Sequence, residues 1–379
     1  MKKLRVLVLG AGFGGLELST ILSEAIGDRL DLTLIDKSDS FLFGFSKLDV
    51  MFGIQKPDAV RLHYRHLQKP GVQFRQEDIL EINPKAKRVK TNQGIYEADA
   101  LVIALGADYD FKATPGLIEG ENEFYTFAGA KRLAELIPQF SKGKVVIGIS
   151  ATPYKCPPAP YEAAFMLHDH LTKRGVRGDC DITLVTPFTV PIPPSPETST
   201  AVLAAFAERN ITFINKKAVV AIDAAKRLIQ LDDDSTLPCD FYLGVPKLCV
   251  PDVVIASGLT EEGWLVPNPK NLKTQFPGVY AIGDVTRLGP PKAGLFAEGM
   301  GRVAALSILA DFQGGAHPND YDGAGTCYIE FGEGKVGRVD VNFFGGPTPT
   351  GRYYEPSTAL VAEKIHFGAS RRARWFGLK

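Results

Sequence analysis

Residues 153–165 read PYKCPPAPYEAAF, which places one cysteine, Cys156, between a lysine and two prolines, with Glu162 six positions on. Pro160 suits a first helical turn, so the cysteine is expected just ahead of a helix N-terminus. The helix end and the neighbouring Lys155 should both favour thiolate over thiol, as a nucleophile or redox group requires. Glu162 is the candidate local proton acceptor, although a carboxylate on an early helical turn would also complement the helix dipole. A second pattern opens the chain. LRVLVLGAGFGGLELSTIL sets Gly10, Gly12 and Gly15 in the spacing G-x-G-x-x-G. The first glycine allows a tight turn, the second lets pyrophosphate approach the backbone, and the third lets helix and strand pack closely. Asp36, at the end of the run LDLTLID, stands where an acid binds ribose hydroxyls.

Elements of matching type must hold these residues. Apolar runs before Gly10 and after Gly15 read as strand and helix, and LDLTLID as the next strand. Two later stretches, ADALVIALGA (98–107) and FPGVYAIGDVTRLGPPKAGLFAEGM (276–300), resemble the downstream motifs of flavoproteins with two dinucleotide-binding domains. That resemblance implies FAD at the first site, with Gly283 and Asp284 near its ribityl or pyrophosphate region. Lys37, Gly106, Lys292 and Gly294 complete the expected cofactor set. The helix after Asp284 would point its positive end at the ring, where Lys292 could add charge.

The chain has 379 residues, 45% of them hydrophobic and 23% charged, and a formal net charge of zero. That length suffices for two or three packed domains, and the charge balance gives no footprint for nucleic acid. The expected class is α/β, with two Rossmann-like domains and a short C-terminal domain. Residues 1–107 and 241–317 form a discontinuous FAD-binding domain, 108–240 a second Rossmann-like domain, and 318–379 a C-terminal region. No run reaches the ~20 apolar residues of a membrane span. The opening MKKLRVLVLG reads as a strand rather than a targeting segment, so the expected location is cytoplasmic, with peripheral attachment at the inner face of the cell membrane. The five cysteines form no CxxC pair or zinc-like spacing, and no metal is expected. Cys180, Cys239 and Cys249 read as small core residues.

The second domain offers GKVVIGIS as a strand, YEAAFMLHDHLTKRG as a helix and CDITLVTPF as a strand. Its first turn, however, is SATPYKCPP, without phosphate-cradling glycines, and no acid or base for ribose follows the second strand. NAD(P) is therefore not expected there.

CPPAPYE resembles a motif of the flavocytochrome c sulfide dehydrogenase and sulfide:quinone oxidoreductase family, and the similarity runs on to GTCYIEFGEGKVGRVDVNFF at 325–344. The resemblance implies that Cys327 is a second redox cysteine, able to bridge Cys156 beside the flavin. Sulfide would attack that bridge, leave a persulfide and a thiolate, and pass two electrons to FAD. The flavocytochromes tether FAD through a cysteine, but the corresponding position here is Gly44 and no cysteine precedes 156, so FAD is expected to be non-covalent. Some relatives use a third cysteine before the CPP motif, which this chain lacks. Quinone is the expected acceptor, with Tyr328, Phe343 and Phe344 as its candidate neighbours. The basic, aromatic tail 359–379 suits a membrane surface or, alternatively, a packing helix or dimer contact. Two other readings stay open: a dehydrogenase feeding a cytochrome, and a non-turnover redox sensor or persulfide carrier.

Overall fold

The structure is a computed structural model describing residues 3–119, 122–316 and 320–378. The run LRVLVL forms the strand Leu4–Leu9, buried at all but one position. Such continuous burial is what a parallel strand covered on both faces requires. It is the centre of a five-stranded parallel sheet, in the order Val279–Ala281, Ala100–Ile103, Leu4–Leu9, Leu30–Asp36, Val72–Gln76. The nucleotide turn leads from this strand into the helix Phe13–Ile26, which packs against the long helix Gly294–Gln313.

A second parallel sheet has the order Ile211–Ile214, Cys180–Val185, Gly143–Ile149, Phe241–Val245. The two α/β lobes expected from the strand and helix patterns are thus present. One boundary is corrected. Phe241–Val245 pairs in parallel with Gly143–Ile149, so the second lobe runs past residue 240 and the flavin lobe does not resume at 241. The crossing lies just beyond, where Lys247–Cys249 pairs antiparallel with Asp108–Asp110. Cys180 and Cys239 are buried core residues, while Cys249 is half-buried on that ribbon.

The C-terminal unit is an antiparallel sheet of Ala324–Gly332, Lys335–Asn342 and Thr350–Ser357, followed by the helix Thr358–Phe376. Ser357 caps that helix by accepting from the Leu360 amide, and Gly377 ends it in the left-handed conformation. At its end the tail packs on the protein, as its alternative reading had it. Trp375 and Phe376 are core residues, with the Trp375 ring against Phe13 and Phe41 at 5.5 Å. Arg371 pairs with Glu298, and Arg374 with Glu17 and Glu24. Of the tail's large apolar side chains, Ile365 alone is fully exposed. The helix is amphipathic, as its sequence says, but the protein itself covers the aromatic face. Among the described residues, no helix is long and apolar enough to cross a membrane.

Candidate active site

A cavity of about 650 Å³ opens at the C-terminal ends of the first sheet's strands, the usual ligand position in an open parallel sheet. Every predicted cofactor residue lines it except Gly15: Gly10, Gly12, Asp36, Lys37, Gly106, Gly283, Asp284, Lys292 and Gly294 are all at its wall. Gly15 acts from behind, since a Cβ there would stand 2.0 Å from the Gly10 carbonyl oxygen. Gly10 has φ +101°, which side chains rarely adopt, whereas Gly12 faces open space. Asp36 accepts from the amides of Ala11 and Ser38, each at 2.8 Å, which fixes its carboxylate beside the turn. A glycine cradle, a helix N-terminus and a fixed acid on one cavity fit a dinucleotide such as FAD.

Cys156, Cys327 and Glu162 line the same cavity. Cys156 has φ +48°, an uncommon backbone state for a residue with a Cβ. Two bonds hold it: its amide donates to the Lys292 carbonyl at 2.8 Å, and its carbonyl accepts from the Ala159 amide at 2.9 Å. Cys327 comes from the strand Ala324–Gly332, which packs on the helix Ala159–Lys173. Both cysteines are free thiols, half-buried at the cavity wall.

The thiolate expected at Cys156 is not what this environment favours. Burial pushes its thiol well above the ordinary range, and Glu162 and Cys327 add to the effect. Lys155 does not offset this, because its Nζ donates to the Ala107 carbonyl at 2.6 Å and lies over the Tyr109 ring. Cys327 is pushed up to about 12 by burial, then by Glu162 and Asp340. Desolvation outweighs the helix end.

Glu162 is buried, and its Oε1 accepts from the Glu330 amide at 3.1 Å. Burial pushes it up to about 7, against the pull of Lys364. Lys364, from the C-terminal helix, reaches Glu330 Oε1 at 2.5 Å. Burial works against its charge, but Glu162, Glu330 and Asp49 together hold it above the ordinary lysine range. Lys292 lines the cavity with its Nζ donating to the Thr286 carbonyl and lying 4.4 Å from the Trp264 ring centre.

Of the three aromatics expected near a quinone, Tyr328 lines the cavity, 6.0 Å from Phe367. Phe343 and Phe344 do not. They follow the end of a strand and pack on Phe296 and Tyr321 instead. Phe367 and Phe45, at 6.3 Å from each other, line the cavity instead. Sequence reasoning also missed Lys47, Lys364 and Tyr125 as cavity residues. Nothing local marks them, because each is brought in by a different element.

The model of the pyridine nucleotide-disulphide oxidoreductase family matches residues 4–302. The chain belongs to that family. Among oxidoreductases of this family, it is 30% identical over 375 residues to the sulfide-quinone reductase of Aquifex aeolicus, covering 89% of this chain and 82% of the relative. It is 22% identical to the mitochondrial sulfide:quinone oxidoreductase of Mus musculus, covering 91% and 79%. The solved structure of the Aquifex aeolicus sulfide:quinone oxidoreductase superposes with a TM-score of 0.86 at 24% identity, over 99% of this chain and 92% of that one. The resemblance seen in the motifs therefore extends over most of the chain. The fold is that of a pyridine nucleotide-disulphide oxidoreductase, whose membership implies a flavin cofactor. In this member the second lobe's turn carries Cys156, and the Tyr242 hydroxyl donates to the Gly148 carbonyl at 3.1 Å on the preceding strand.

Proposed function

We propose that the protein oxidises sulfide at Cys156 and Cys327 and delivers the electrons through flavin to a quinone. One observation carries this reading: two cysteines from different domains, remote in sequence, line the same cavity as the dinucleotide fingerprint. In the oxidised chain the pair forms a disulfide. Hydrosulfide attacks one sulfur, the S–S bond breaks, a new S–S bond forms to the incoming sulfur, and the other cysteine leaves as thiolate. Glu162, held at about 7 beside both cysteines, takes the proton. Bound flavin supplies a two-electron acceptor that quinone can reoxidise. Gly10, Gly12, Asp36, Gly283 and Asp284 hold it without a covalent tether, and Gly44 stands where a tether would be. Quinone docks among Phe45, Tyr328 and Phe367. Alternation along the strand sends Cys327 and Tyr328 to opposite faces, which separates the sulfur and quinone ends.

The test is an anaerobic flavin spectrum after addition of sulfide or, separately, NADH, followed by decylubiquinone. Bleaching by sulfide alone, reversed over many cycles by quinone and lost in Cys156→Ser and Cys327→Ser, is the expected result. Bleaching by NADH with indifference to sulfide overturns it. A single reduction without turnover would instead identify a sensor or carrier.

A further inference from the structure

A lysine withdrawn from bulk water needs a counter-charge, and two lysines of the cavity wall lack one. Lys47, from the short helix Ser46–Met51, sends its Nζ to the Tyr125 carbonyl at 2.5 Å. Lys155 sends its Nζ to the Ala107 carbonyl at 2.6 Å. Among the described residues neither forms an ion pair, whereas Lys364 on the same wall is matched by Glu330. One carbonyl leaves each ammonium with two further donors.

Contacts join the two lysines to each other. Lys155 Nζ lies 4.7 Å from the Tyr109 ring centre. The Tyr109 hydroxyl donates at 3.2 Å to the Tyr125 carbonyl, the same oxygen that Lys47 binds. All four residues line the cavity, and Lys155 immediately precedes Cys156, so the group belongs to the cysteine loop's end of it. The main chain of Lys155 also bridges that of Lys292. Close by begins the helix Gly294–Gln313, whose N-cap Ala293 supplies no side-chain acceptor for the first amides. Two unpaired ammoniums and an uncapped helix N-terminus thus share one cavity.

The acids nearby leave that charge standing. Glu123 directs its carboxylate to the amides of Tyr125 at 2.7 Å and Thr126 at 2.8 Å. Asp108 and Asp284 line the cavity without pairing with either ammonium. Burial pushes Lys47 down to about 8, and Lys155 adds to the effect. Burial also lowers Lys155, against the pull of Asp284 and Asp108. A negative charge entering the cavity would oppose both shifts.

We infer that Lys47 and Lys155 are counter-charges to the negative charge that a bound flavin ring acquires on reduction. Two electrons and one proton convert the neutral oxidised ring into an anion, and cations beside it favour that form. The diphosphate of the same cofactor has its own partners, the glycine turn and the N-terminus of the helix Phe13–Ile26. The inference rests on the reading above for placing the ring beside the cysteines. It makes the two lysines setters of the flavin potential.

The experiment equilibrates the flavin-loaded protein with a redox dye of known potential during slow reduction by xanthine and xanthine oxidase, near neutral pH. Flavin and dye absorbances give the ratio of reduced to oxidised flavin. Lys47→Met and Lys155→Met are each expected to lower that ratio about tenfold at a fixed dye potential, which is about 30 mV for a two-electron couple. Lys47→Arg and Lys155→Arg should restore most of it. Lys47→Gln keeps a donor for the Tyr125 carbonyl and removes the charge, so it stands in if the Met variant does not fold. FAD dissociation is measured on the same proteins. An unchanged potential with weakened FAD binding overturns the inference and assigns the lysines to the diphosphate. An unchanged potential in protein that sulfide still bleaches overturns it and leaves the sulfide reading in place. A lowered potential in protein that ignores sulfide sustains the role of the lysines and removes the sulfide reading.

Discussion

The amide of Cys156 donates to the carbonyl of Lys292 at 2.8 Å, so the Cys156 loop of one lobe is tied by main chain to the Lys292 loop of the other. Lys155 and Lys292 form a parallel bridge at the same place. The position of Cys156 over the cavity therefore depends on backbone geometry in both lobes.

Gly15→Ala should abolish flavin retention. The added Cβ would sit 2.0 Å from the Gly10 carbonyl oxygen, and neither backbone can yield without moving the turn that cradles the pyrophosphate. Flavin absorbance per polypeptide after purification measures this. Overpacking of this kind costs about 1–3 kcal/mol, visible as a lowered melting temperature.

Glu162→Gln should act on chemistry and stability together. Burial lifts the folded carboxyl from 4.5 to about 7. Between those values the folded chain binds more protons than the unfolded chain, so stability falls as pH rises through that window. The full effect, on the order of 3 kcal/mol for a shift of this size, should vanish in Glu162→Gln. Denaturant unfolding at several pH values reads the slope. In the same variant, sulfide-driven flavin reduction should fall by about 100-fold and lose the limb that rises through pH 7.

Glu17→Gln should have the opposite pH signature. Burial alone would raise this carboxyl, but hydrogen bonds from Arg374 and Trp375 hold it below the ordinary range. Its contribution is complete above pH 4.5 and is lost as pH falls through the lower folded value. Breaking the pair leaves Arg374 short of a partner and should cost about 3 kcal/mol near neutrality. The C-terminal helix should become sensitive to limited proteolysis first.

Much of this architecture is written locally. Gly10, Gly12, Gly15 and Asp36 are legible because a nucleotide turn needs fixed residue types at fixed spacing. Cys156 and Cys327 are legible through motifs around each. Their titration behaviour is not, because the preference for thiol over thiolate comes from burial by remote segments. Lys47 and Tyr125 were missed for the same reason: SKLDVM and EFYTF carry no signal until the tertiary fold brings both to the cavity wall. The tail left two readings open. Its amphipathic pattern predicts a covered face, but only the fold says that Phe13 and Phe41 cover Trp375. The boundary at 240 failed because a parallel strand such as Phe241–Val245 does not state in its own sequence which sheet it joins.

The contact between Trp375 and Phe13 also bears on the order of events during synthesis. Phe13 belongs to the nucleotide turn, close to the start of the chain, and Trp375 packs edge-on against it at 5.5 Å. A ribosome releases the turn early, and domains tend to fold as they emerge. Phe41 and Phe43 already pack on Phe13, but its contact with Trp375 forms only once residue 375 has left the exit tunnel. The finished nucleotide site is thus a product of the whole polypeptide, and tight cofactor capture belongs after translation rather than during it.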